Sequence, residues 1–134
     1  MRMEGLMSHQ IDNLLKAAAE ITRLRILNLL RMGSVCVCDL QAVLRLPQPA
    51  VSQHLGLLRH VGLVMDQRQG KRIVYSLAPA TTPQMEVLRQ LVERCSACEQ
   101  ILQDDLRVLA EGLGKKTHPD DFGRPASEAK EEKP

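Results

Sequence analysis

The stretch Leu46-Pro47-Gln48-Pro49 sets the hardest local limit on this chain. Proline has no amide hydrogen and its ring clashes with the preceding turn, so two prolines separated by one residue cannot lie inside a helix. The chain must turn here, and Pro49 suits the first turn of a following helix. Before the turn, Asp39 to Leu46 reads as a short helix. After it, a helix runs to about Val61, with Val51, Leu55 and Leu58 inward and Gly62 as its stop.

The flanking sequence fills out the pattern. Ser8 can cap a first helix to Ala18, with Ile11, Leu14, Leu15 and Ala18 on one face. A second helix runs from about Thr22 to Met32, apolar on most sides and stopped by Gly33. Ser34-Val35-Cys36-Val37 is short and β-branched. Beyond Gly62, Leu63 to Gln67 and Arg72 to Leu77 can pair as a hairpin around Arg68-Gln69-Gly70-Lys71. Pro79 and Pro83 mark a linker. A single long helix is then expected from Gln84 to about Glu111, with Met85, Leu88, Leu91, Val92, Cys95, Cys98, Leu102, Leu106 and Leu109 at helical spacing.

Only 1% of the residues are aromatic against 44% hydrophobic, so the core must be built from aliphatic side chains, which suits helices. The 134 residues favour one domain, residues 8–111, followed by a polar tail, residues 112–134, expected to be disordered. The expected architecture is mainly α with a small β-hairpin, in the order ααααββα. Two short helices, a tight turn, a polar-faced helix and a basic hairpin together form a winged helix-turn-helix pattern.

Charge is distributed to match. Residues 1–83 carry 10 Lys+Arg against 5 Asp+Glu, and residues 84–134 carry 8 against 11, so the front is basic and the back acidic. A recognition helix buries one face and offers donors to base edges in the major groove. Gln48, Ser52, Gln53 and His54 supply such donors near the helix start. Arg59, Arg68, Gln69, Lys71 and Arg72 lie where they can reach phosphates or a flanking groove, contacts that set affinity and register.

Two stretches, Ser34-Val-Cys-Val-Cys-Asp-Leu and Gln48-Pro-Ala-Val-Ser-Gln-His-Leu, resemble the ArsR/SmtB family of metal-responsive repressors. The continuations Leu57-Leu-Arg-His-Val-Gly-Leu-Val and Arg68-Gln-Gly-Lys-Arg-Ile-Val-Tyr-Ser-Leu resemble that family's helix end and wing. The likeness spans roughly residues 10–110. It implies a homodimer through the first and last helices that binds double-stranded operator DNA without a cofactor and releases it when an inducer binds. In the arsenic- and cadmium-sensing branches the cysteines of this stretch are ligands, which carries over to Cys36 and Cys38. Where the arsenic branch often has a further cysteine, this chain has Gln41.

The cysteines also speak through spacing and chemistry. No apolar run approaches the roughly 20 residues of a membrane span, and Met1 to Asn13 lacks the apolar core of a secretory signal. The expected location is the cytoplasm, where a structural disulfide is disfavoured and the four cysteines are metal-binding, redox-active or simply buried. Thiolates are soft ligands. Trivalent arsenic or antimony takes three sulfurs, whereas cadmium, lead and zinc more often take four. Cys36 and Cys38 would point about 200° apart on a regular helix. Gathering both on one ion is therefore expected to unwind or prevent the first turn of the third helix, which braces the recognition helix. Cys95 and Cys98 fall on nearly one helix face. They are further candidate metal ligands, a candidate redox pair, or core filler. The family's zinc site on the last helix needs Asp and His. Asp104 and Asp105 are present there, but the only nearby histidine, His118, lies in the tail.

A thiol-based redox or persulfide sensor of the same fold would oxidise Cys95 and Cys98 instead of binding metal. An enzyme is disfavoured, because no strand precedes Cys95-Ser-Ala-Cys98 to make a thioredoxin-like unit. No nucleophile grouping, phosphate-cradling loop or carboxylate pair stands out either.

Overall fold

The structure is a computed structural model and describes residues 10–115. The Ser8 cap, His118 and the tail beyond Lys115 lie outside the described residues. Two helices come first, α1 (Gln10–Ala18) and α2 (Ile21–Leu30), then a short strand β1 (Val35–Cys36). Next come α3 (Val37–Leu44) and α4 (Gln48–His60), the strands β2 (Val64–Gln69) and β3 (Arg72–Leu77), and finally α5 (Pro83–Cys98) and α6 (Gln100–Lys115).

Local chemistry explains most boundaries. Glu20 caps α2 by accepting the Arg23 amide at 3.1 Å, and Thr82 caps α5 by accepting the Met85 amide at 3.2 Å. Pro83 follows Thr82 in the first turn, where its missing amide costs nothing. Helix α3 closes on Arg45 in the left-handed region, φ 58°, whose amide donates to the Gln41 carbonyl at 2.8 Å. Helices α3 and α4, joined across the double-proline turn, pack on each other as the helix-turn-helix pair.

The hairpin is tighter than expected. Gln69 pairs with Arg72, so only Gly70 and Lys71 make the turn, and Arg68 and Gln69 belong to the strand. Gly70 has φ 67°, which a residue without Cβ adopts without strain. Strand β1 joins the hairpin, and the sheet order is β1-β3-β2, all antiparallel. Val35 faces Tyr75 and Cys36 faces Val74. The segment expected only to be β-branched is thus hydrogen-bonded to the returning strand of the wing.

The last helix corrects the sequence-based expectation. In place of one helix from Gln84, the chain breaks at Glu99, φ −102° and ψ 120°, and α6 turns back to pack on α2 and α3. Nothing in the local sequence marks this break, since the apolar spacing continues through it. What holds the fold-back is distant. Asp105, almost fully buried, receives Arg25 Nε and a terminal guanidinium nitrogen at 2.8 and 2.9 Å. Buried Asn28 donates to the Leu102 carbonyl at 3.2 Å, while its own carbonyl oxygen accepts two hydrogen bonds from Arg31. The Gln103 side chain donates to the Ala97 carbonyl freed at the break.

The core is aliphatic. Leu14, Ile26, Leu29, Leu40, Val51, Leu55 and Leu58 are completely covered, each contributing about 2 kcal/mol by leaving water. Ile11 and Leu15, expected inward on α1, are instead exposed, as are Val87 and Leu91 on α5. Helices α1 and α5 pack against each other, so both pairs lie on neighbouring elements.

Candidate DNA interface and thiol site

Helix α4 buries Val51, Leu55 and Leu58 and leaves its other face to solvent. Gln48 and Gln53 are exposed there, with Ser52 and His54 half-buried. The Gln48 amide donates to Ser52 Oγ at 2.7 Å, which preorders the first turn. His54 is held on its Nδ1 side, which lies 3.2 Å from an Arg23 guanidinium nitrogen on α2 and 3.9 Å from Oε1 of Glu20, the N-cap of α2.

Arg68, Gln69 and Lys71 are exposed around the hairpin tip, and Arg72 is partly covered opposite Gln69. Arg59 differs from these. It pairs with Asp66 at 3.1 Å and so ties the end of α4 to strand β2. The two surfaces expected to meet DNA are therefore physically joined. Burial pushes the Tyr75 hydroxyl pKa up, helped by the Asp66 charge and opposed by Arg59.

Cys36 and Cys38 straddle a junction. Cys36 is extended, φ −79° and ψ 157°, and its sulfur accepts the Asp39 amide at 3.3 Å as the N-cap of α3. Cys38 is half-buried in the first turn. The 200° separation expected on a regular helix does not apply, because only Cys38 is inside the helix. Burial drives the Cys36 thiol pKa well above the ordinary thiol range; the Asp39 amide hydrogen bond opposes this, and the Asp39 charge and the Cys38 thiol add to it. Cys36 thus caps the brace helix through its sulfur and pairs with Val74 of the wing strand through its backbone.

Cys95 is half-buried and Cys98 exposed in the last turn of α5, with the Cys98 thiol donating to the Arg94 carbonyl at 3.2 Å. Among the described residues, which include all four cysteines, no group of three or more His, Cys, Asp or Glu side chains is placed to hold one metal ion. Cys36 and Cys38 lie at the start of α3, and Cys95 and Cys98 lie in the last turn of α5. Asp104 is bound to Gln100 and Arg107, which hold its pKa below the ordinary carboxylate value. Asp105 is taken by Arg25.

Sequence reasoning missed Arg23, Arg25 and Asn28 as organising residues. One signal was available: Asp105 sits between Leu102 and Leu109 on the buried spacing of its helix, and a carboxylate there needs a cationic partner.

Comparison with known proteins agrees with this geometry. Residues 21–66 match the family model described as "Bacterial regulatory protein, arsR family". An arsenical resistance operon repressor of Escherichia coli is 49% identical over 67 residues, 49% of this chain and 57% of that protein. An arsenic resistance transcriptional regulator of Pseudomonas putida is 37% identical over 97 residues, covering 72% of this chain and 74% of that protein. The homodimeric winged helix-turn-helix DNA-binding domain of a possible ArsR-family regulator from Mycobacterium bovis superimposes with a TM-score of 0.58 at 27% identity, covering 72% of this chain and 86% of that one. The match thus spans a little over half the length of the E. coli repressor.

Proposed function

The chain belongs to the arsR family of bacterial regulatory proteins, and from that premise we propose that it is a cytoplasmic homodimeric repressor which leaves its operator when trivalent arsenic or antimony binds Cys36 and Cys38. The observation that carries this reading is the Cys36 sulfur acting as the cap of α3 while its residue pairs with the wing strand. A guest that takes this sulfur withdraws the cap from the brace of α4 and loads the strand that returns from the wing tip. Gln48, Ser52, Gln53 and His54 read base edges; Arg68, Gln69, Lys71 and Arg72 hold phosphates; Arg59 sets the wing against α4.

The burial of Cys36, which raises its thiol pKa, favours a metalloid over a metal dication. Arsenous acid exchanges As–OH for As–S, and the thiol proton leaves with the hydroxide as water. No buried charge is created. Cadmium, lead or zinc would take Cys36 as a thiolate and send its proton to solvent, which the burial of that residue opposes. With Cys36 and Cys38 as the ligands and Gln41 in the third family position, the third arsenic position keeps an oxygen of the arsenite.

Ile11 and Leu15 on α1 with Val87 and Leu91 on α5 supply an exposed apolar surface for the second protomer. This fits the first-and-last-helix interface, with α5 in the role expected of an undivided last helix. A two-fold dimer would then read two half-sites. No helix among the described residues is long and apolar enough to cross a membrane.

A second reading is favoured by Cys98. It is the exposed cysteine, three residues from Cys95, so a peroxide or persulfide would meet it first. One experiment separates the two. A labelled duplex selected by the protein from a random pool is followed by fluorescence anisotropy while arsenite, antimonite, cadmium, lead, zinc and peroxide are added in turn. Release by arsenite and antimonite at the lowest concentrations supports the proposal. Release by peroxide alone supports the second reading, and release by cadmium alone rejects the metalloid preference.

A further inference from the structure

The Arg23 guanidinium spans three elements. Its Nε donates to the Ala17 carbonyl and one terminal nitrogen lies 3.4 Å from the Lys16 carbonyl, both at the C-terminal end of α1. The other terminal nitrogen lies 3.2 Å from His54 Nδ1 on α4. Its backbone amide is fixed by Glu20 at the start of α2. The last carbonyls of a helix have no partners within it, so two of these bonds are an ordinary C-terminal cap. The third is not needed for capping. It reaches 31 residues along the chain to the helix that faces DNA.

Guanidinium only donates. In this hydrogen bond His54 Nδ1 is the acceptor, which leaves the ring proton on Nε2. We propose that Arg23 is a positioning residue that fixes both the place and the tautomer of His54, coupling the C-terminal end of α1 to the recognition helix. His54 then offers DNA a single donor, Nε2–H. Such a donor suits guanine N7 or O6, adenine N7 or thymine O4, and it is mismatched to the cytosine amino group. The inference rests on α4 being the DNA-reading helix, and it gives that helix a specificity element set from α1.

The test has a part that needs no DNA. In the full-length dimer labelled with 15N-histidine, long-range proton–nitrogen correlation reads the His54 tautomer, assigned by its loss in His54→Gln. The Nε2–H form is expected, and Arg23→Gln should abolish the preference. An Nδ1–H ring in the wild type, or no change in Arg23→Gln, overturns the proposal.

The second part uses a duplex selected by the wild-type protein and a scrambled duplex of equal length. Arg23→Gln and His54→Gln should each lower the ratio of selected to scrambled affinity about tenfold, the range of one lost base contact. The double variant should lose no more than either single one, because the two residues act as a unit. The slope of log affinity against log salt should be unchanged. A slope reduced by about one would mean that Arg23 contacts phosphate itself, and additive losses would mean that the residues act separately; either overturns the coupling. If Arg23→Gln fails to fold, His54→Gln leaves the α1 cap intact and the wild-type tautomer decides. If no duplex is selected at all, the DNA-reading role of α4 fails, while the tautomer result still stands or falls alone.

Discussion

The sulfur of Cys36 accepts the backbone amide of Asp39 at 3.3 Å, so the side chain proposed to bind the inducer is also the cap of α3. These two roles separate under substitution. Serine is a favoured N-cap and alanine is not. Cys36→Ser should keep the stability of the wild type, and Cys36→Ala should lose about 1 kcal/mol in chemical denaturation. Both should lose inducer response. Equal destabilisation by serine and alanine would show that the cap contributes nothing.

Stability should fall in alkali because of this thiol. Burial raises its pKa. The folded chain therefore keeps a proton that the unfolded chain gives up above the ordinary thiol range. The unfolded state binds fewer protons there, so stability is full at lower pH and declines as pH climbs past that range. Tyr75 is raised in the same sense. Denaturation midpoints at rising pH should show a slope that Cys36→Ser reduces and Cys36→Ser with Tyr75→Phe reduces further. An unaltered slope would contradict the burial argument.

The fold-back of α6 should depend on one ion pair. Asp105→Ala leaves the Arg25 guanidinium, largely covered, without its bidentate partner. A loss of about 3 kcal/mol is expected, the lower end for breaking a buried pair because Arg25 keeps some solvent contact. Hydrogen exchange should then accelerate across residues 100–115 ahead of α4. Protection unchanged in that segment would mean that apolar packing alone holds α6.

What the sequence reveals and what it conceals divide along contact distance. The double-proline turn, the face of α4 carrying Val51, Leu55 and Leu58, and the glycine at the wing tip are local, and residue type alone specifies them. The break at Glu99 is not local. Its cause lies in Arg25 and Asn28, more than 70 residues upstream, and neither glycine nor proline marks it. The thiol pair was legible as chemistry through Cys36-Val37-Cys38. Its geometry was not, because whether Cys36 lies inside α3 depends on its pairing with Val74 in a distant strand.

Wing and recognition helix should answer salt differently. Arg68→Ala with Lys71→Ala should weaken binding to selected and scrambled duplexes alike and reduce the salt slope by about two, one per lost phosphate contact. Gln53→Ala should leave the slope in place and relax the sequence preference. Anisotropy at several salt concentrations reads both. A wing variant that loses only sequence preference would exchange the two assignments.

Association of two protomers should hang on the exposed residues of α1 and α5. Leu15→Asp or Leu91→Asp substitutes positions that are about half exposed in the single chain, so the fold should survive. Each should yield a folded monomer by light scattering and weaken binding to a duplex with two half-sites. A dimer that persists in both variants would place the interface elsewhere.

The most direct trial of the central claim is arsenite titration of the preformed protein–DNA complex, wild type against Cys36→Ser with Cys38→Ser. The wild type should release the selected duplex as arsenite is added, and the double variant should stay bound across the same range with its DNA affinity intact. Release from the double variant at the wild-type arsenite concentration would show that the inducer acts elsewhere.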